Sequence, residues 1–287
     1  MLNRIRLAGV LSALFIFISV TVPVRAADKA GLMLFPTRFV LGEKERNISL
    51  DIINKGTARG SYRIELIDMK MPETGAIREL DKNEADPYSL IPFARISPRR
   101  AVISPDSSQQ VRVLLRRPKD LPDGEYRSHL KVTLTEDNLD EVEDKKPSDK
   151  MSIKIKPRLA FTVPIIVRQG KTHFTVSIDG ARVYYSDRDK AREKPIARVE
   201  FSLEGNQSSM GDIKISYIDS GGQSTVVDFQ PGIAIYRETK TRIIDFPLTL
   251  PDGVKLAPGG KLQISYLGKV YETEGGGELL AQKTVNL

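Results

Sequence analysis

Two histidines, His129 and His173, are the only imidazoles in this chain of 287 residues, which has no cysteine. A catalytic histidine needs a nucleophile or a carboxylate held beside it. His129 falls inside an alternating apolar run from Tyr126 to Leu134, and His173 follows a pause in the pattern. Both read as ordinary strand or surface residues. No nucleophile elbow, phosphate loop, zinc-protease helix or dinucleotide fingerprint appears. The acidic run from Glu136 to Glu143 lacks the glycine and ligand spacing of a calcium loop and reads as a solvated loop. Without cysteine there is neither a thiolate metal site nor a disulfide. The expectation is a protein that binds rather than catalyses, with no cofactor and no metal.

The residues that could bind are basic ones set among apolar ones. From Met151 to Val167 the chain carries Met151, Ile153 and Ile155 alternating with Ser152, Lys154 and Lys156, then Pro157, Arg158, Leu159, Phe161, Val163 and Pro164. Period two is the signature of a strand with one apolar face. Proline has no N–H to give a ladder, so the two prolines place the segment at a sheet edge. Two readings stand. The lysines and Arg158 guard the edge against pairing, or the apolar comb is a template for a partner's strand. Arg38, before Phe39-Val40-Leu41, is a second basic residue at the start of a strand, and taken alone it reads as a surface arginine.

Short alternating runs with Gly, Pro, Asn and Asp between them recur along the chain. Seven lie between Arg38 and Val167, including Asn47 to Ile53, Ser61 to Ile67 and Gln110 to Leu115. This pattern predicts a β-sandwich. Asn54-Lys55-Gly56 is a strong turn signal, and the polar stretch from Lys70 to Pro87 reads as an excursion loop with room for one helical turn. The pattern pauses at Arg168-Gln169-Gly170. A second series then runs from His173 to Leu267, broken by glycine-rich turns such as Ser220-Gly221-Gly222 and the triplet at Gly275. The expected architecture is all-β: two sandwich domains, over 27–168 and 169–287.

Residues 1–26 read as a cleavable export signal: Arg4 and Arg6, an apolar run from Leu7 to Val24, then Val24-Arg25-Ala26. Pro23 and the small residues after it favour cleavage over anchoring. Removal of the segment takes Arg4, Arg6 and Arg25 with it and lowers the formal charge from +7 to +4. So mild an excess does not call for nucleic acid.

The order of features in the first domain resembles the periplasmic chaperones of the chaperone–usher pilus pathway. Those features are Phe35-Pro36-Thr37-Arg38, Gly42, Asn47 to Asn54, Ile96-Ser97-Pro98, Ile103-Ser104-Pro105 with Gln110 to Val113, Gly124-Glu125-Tyr126, and the comb last. The acidic loop and the lack of cysteine are more similar to the archaic or alternate branches than to the disulfide-bearing one. The resemblance implies two immunoglobulin-like domains in a boomerang, in the periplasm, with pilus or fimbrial subunits and an outer-membrane usher as partners. It implies no nucleic acid and no small-molecule substrate, and it leaves self-association open for the free protein. Arg38 and Arg158, with Lys156 as the alternative second residue, would anchor a subunit's terminal carboxylate. Met151, Ile153, Ile155, Leu159, Phe161 and Val163 would be the donor strand. The contrasting reading is a secreted two-domain adhesin or carbohydrate-binding protein, for which Tyr184, Tyr185 and Tyr236 are the only aromatic hints. An uncharacterised hydrolase is a third, needing a carboxylate pair that the sequence does not locate.

Overall fold

The structure is a computed structural model and describes residues 29–81, 83–137, 159–185, 194–268 and 277–287. The expected export signal and the Met151-to-Arg158 part of the comb lie outside the described residues. No α-helix is present among those described; strands dominate.

The first domain contains β1 (Met33–Phe35), β2 (Phe39–Leu41), β3 (Asn47–Ile53), β4 (Gly60–Ile67), β5 (Met69–Lys70), β6 (Arg78–Glu79), β7 (Ala94–Ser97), β8 (Arg100–Ile103), β9 (Ser108–Leu115), β10 (Gly124–Asp137) and β11 (Ala160–Gln169). One sheet has the order β1-β3-β9-β7 and the facing sheet β2-β11-β10-β4-β8. Period-two alternation drives this stacking. Val111, Val113 and Leu115 of β9 turn inward while Arg112 and Leu114 turn to solvent. Leu50, Ile52, Tyr62, Ile64, Leu130 and Val132 meet them in a single core.

The second domain contains β12 (Phe174–Tyr185), β13 (Pro195–Gly205), β14 (Ser209–Ile218), β15 (Ser224–Ile235), β16 (Thr241–Pro247), β17 (Lys261–Gly268) and β18 (Leu279–Asn286). Its sheets run β12-β13-β16 and β15-β14-β17-β18. Phe201 and Tyr266 meet edge to face across them, with ring centres 5.8 Å apart.

The turn at Asn54 has a specific cause. Its fully buried side chain accepts from the Gly31 and Gly56 amides at 2.8 and 3.0 Å and donates to the Ala58 and Ile103 carbonyls at 2.8 and 3.0 Å. Four partners saturate an amide side chain. Gly56 is needed beside it, because a Cβ there would collide with the Lys29 carbonyl.

One expectation is corrected. Among its described residues the excursion after β4 has no helical turn; it holds the β5–β6 hairpin instead. The Gly75 amide closes a tight turn on the Pro72 carbonyl at 2.8 Å, and Gly75 has φ 81°, a conformation suited to glycine. The short helical turn lies further on, a 3-10 turn at Ile91–Phe93. Strands β1, β5, β6 and β7, of two to four residues each, are too short to show alternation in sequence.

Candidate functional site: an open sheet edge and an arginine corner

β11 has different neighbours along its length. On one side it pairs with β10 from Ala160 to Gln169, and the Leu134 amide donates to the Leu159 carbonyl at 2.9 Å. On the other side β2 pairs with it, in parallel, only at Ile165, Ile166 and Val167. Over residues 160–164 that second edge has no described strand against it. The segment is therefore an edge only in its first half; from Ile165 it is an inner strand, which corrects the expectation of an edge throughout.

Pro164 marks the change for a physical reason. The Leu134–Leu159 bond puts odd residues of β11 in hydrogen-bonded pairs with β10, so the amides of even residues face the other edge. The N–H that Pro164 lacks would have faced that edge, and the β10 ladder loses nothing.

Val163, Ile165 and Val167 face the first core. By period two, Phe161 and Leu159 lie on the same side, yet they are 45% and 43% exposed. The sandwich ends before it covers them. Val163, expected in the comb, is only 2% exposed and holds β11 to its own domain. Met151, Ile153, Ile155, Lys156 and Arg158 are outside the described residues.

Arg38 stands where β2 begins, one step before the Phe39–Ile165 pair and so level with Pro164. A strand laid along the open edge is in line with β2 and must stop at Arg38. The Arg38 side chain turns, with Val40, to the outer face of the sheet, against the second domain. There it donates to the Tyr236 hydroxyl at 3.4 Å. Its Nε is buried without a partner, and among the described residues no carboxylate pairs with it. Arg38 also lines an interdomain cavity of about 280 Å³ together with Val40, Arg168, Phe174 and Met210.

Arg127 of β10 was not singled out from the sequence. An arginine in an alternating strand looks like a solvent-facing residue, but the second domain covers this face. The Arg127 guanidinium lies on the Tyr236 ring, 3.5 Å from its centre. It pairs with Glu238 at 2.5 Å and donates to the Met69 carbonyl at 2.8 Å. His129, next but one on the same face, is also buried. Burial first, then the charges of Arg127 and Arg38, push its pKa down to about 3. Its imidazole is thus neutral near pH 7, and among the described residues no carboxylate pairs with it. His173 contributes its backbone, its amide donating to Asn206 Oδ1 at 2.9 Å. Among the described residues no group of three or more His, Asp and Glu could hold a metal ion.

Further contacts fix the two domains around this corner. Met71, Ile166, Ala234 and Tyr236 form a small apolar cluster, with Val40 packed on it. The excursion reaches across: the Ile243 amide donates to the Glu73 carbonyl at 2.8 Å, and the Thr239 hydroxyl to the Met71 carbonyl at 2.5 Å. Glu125, buried at the junction, accepts from the Ser208 hydroxyl and from Arg168 Nε at 3.4 Å.

No protein-family model and no curated protein matches this chain. Solved structures to which it is similar include several fimbrial chaperones. A chaperone–tip adhesin complex of CFA/I fimbriae biogenesis is 16% identical, covering 87% of this chain and 98% of that one, with a TM-score of 0.42. The class 5 fimbriae chaperone CfaA is 14% identical over 90% and 100%, at 0.43. The CsuC–CsuE chaperone–tip adhesion subunit pre-assembly complex of the archaic Csu pili of Acinetobacter baumannii is 12% identical over 75% and 90%, at 0.40. Likenesses this distant say nothing about function.

Proposed function

We propose that this protein is a periplasmic chaperone, exported by its N-terminal signal, that stabilises pilus or fimbrial subunits by lending them a strand and delivers them to an outer-membrane usher. The observation that carries the reading is the open half of β11, which ends at Arg38. Over residues 160–164 no described strand lies against this edge, whose backbone groups are there for an incoming strand to pair with. Phe161 and Leu159 offer apolar side chains on the core-facing side of that edge.

Each ingredient contributes differently. Ladder bonds give sequence-independent affinity. Each large apolar side chain, fully buried by the partner, adds about 1.5–3 kcal/mol. A chain-end carboxylate on the Arg38 guanidinium adds about 1.5–3 kcal/mol through charge-assisted bonds. The anchor also sets register, because a slip of one residue turns every partner side chain to the wrong face. The Met151, Ile153 and Ile155 stretch would extend the comb, with Arg158 or Lys156 as further basic residues beside it.

Two measurements on the mature protein test this. Recovered from the periplasm of a fimbriated host, it should carry a small β-rich polypeptide. Hydrogen exchange of that complex against the free protein should show new protection at the amides of Ala160 and Thr162, which face the open edge. Unchanged exchange at both, with a polypeptide bound, rules out strand lending.

A further inference from the structure

The register leaves Arg38 without a cation at its own level on β11, since that position is Pro164. What stands beside it is the Tyr236 hydroxyl, brought from the second domain and 3.4 Å from Arg38 Nη1. We propose that Tyr236 is the second recognition group of the anchor, so that a chain-end carboxylate is read by an arginine–tyrosine pair spanning both domains. This rests on the strand-lending reading above.

Three observations carry it. A hydroxyl that accepts from Arg38 keeps its own proton free, and among the described residues that proton has no acceptor. An anion received by the guanidinium is therefore within reach of a neutral donor that adds no further charge to bury. Second, the ring cannot move away. Tyr236 is buried, packed against Met71, Ile166 and Ala234, and Arg127 covers one face. Third, the local charge is uneven. Arg127 has Glu238 at 2.5 Å, whereas no described carboxylate pairs with Arg38. The second domain thus becomes part of the recognition site and not only a support for it.

The test uses a synthetic peptide of alternating apolar residues, once with a free C-terminal carboxylate and once as the C-terminal amide. Affinities of both for the mature protein are measured by calorimetry. The wild type should prefer the acid by about tenfold or more, the size of one charge-assisted bond. Arg38→Ala should bring the acid/amide ratio close to one. Tyr236→Phe keeps the ring under Arg127 and removes the hydroxyl alone. It should lower the ratio by about threefold or more while the thermal midpoint stays at the wild-type value. A merely structural tyrosine would weaken both peptides alike. A wild-type ratio retained by Tyr236→Phe overturns the proposal and leaves strand lending intact. A wild type that binds both forms equally overturns the carboxylate anchor, and with it the role of Tyr236. A wild type that binds neither overturns the strand-lending reading itself.

Discussion

Arg127 of the first domain lies over the ring of Tyr236 of the second, its guanidinium carbon 3.5 Å from the ring centre, while its Nη2 pairs with Glu238 at 2.5 Å. The Arg127 side chain is 8% exposed and that of Glu238 22%. Removing one member of such a pair leaves a charge buried alone, which costs more than the pair contributes. Glu238→Ala should lower the free energy of urea unfolding by about 3 kcal/mol. A loss below about 1 kcal/mol would mean that water already screens the pair.

His129 sets an acid limit on stability. Its pKa is pushed down to about 3 in the fold, mainly by burial, whereas an unfolded imidazole titrates near its ordinary 6.5. The unfolded chain therefore binds a proton that the folded one refuses. The His129 contribution is fully present above pH 6.5 and is lost as the pH falls from 6.5 towards 3, at about 1.4 kcal/mol per pH unit. His129→Asn should flatten the stability–pH profile across that window relative to wild type. Parallel profiles for the two proteins would show that His129 takes up its proton as readily in the fold as in the unfolded chain.

Phe161 separates binding from folding. It is 45% exposed, so Phe161→Asp should cost no more than about 2 kcal/mol of unfolding free energy and leave the protein folded. The same change should weaken capture of an alternating apolar peptide by about tenfold, the equivalent of one lost apolar contact. Undiminished capture would move the binding strand away from β11.

Asn54 tests the fold independently of the site. Asn54→Ala strips partners from the Gly31 and Gly56 amides and from the Ala58 and Ile103 carbonyls. About 3 kcal/mol of stability should be lost in denaturant unfolding, the sum of four net bonds. A loss under about 1 kcal/mol would show that water replaces the amide.

Alternation is a local property, and it made the all-β class legible. Val111, Val113 and Leu115 announce an inward face whatever they meet. The pause at Arg168-Gln169-Gly170 covers the end of β11 and the residue after it, just before one pair of sheets gives way to the next. Arg38 stood out only through the order of features that resembles the chaperone family, since taken alone it reads as a surface arginine. The same alternation could not say which outer faces stay in water. Arg127 drew no notice and His129 read as an ordinary strand or surface residue, yet both are buried, Arg127 against Tyr236 and Glu238 of the second domain. Nor could it pair Arg38 with Tyr236, 198 residues away. Side-chain period follows from the geometry of one strand, whereas the contents of the corner between the domains follow from how two finished sandwiches meet.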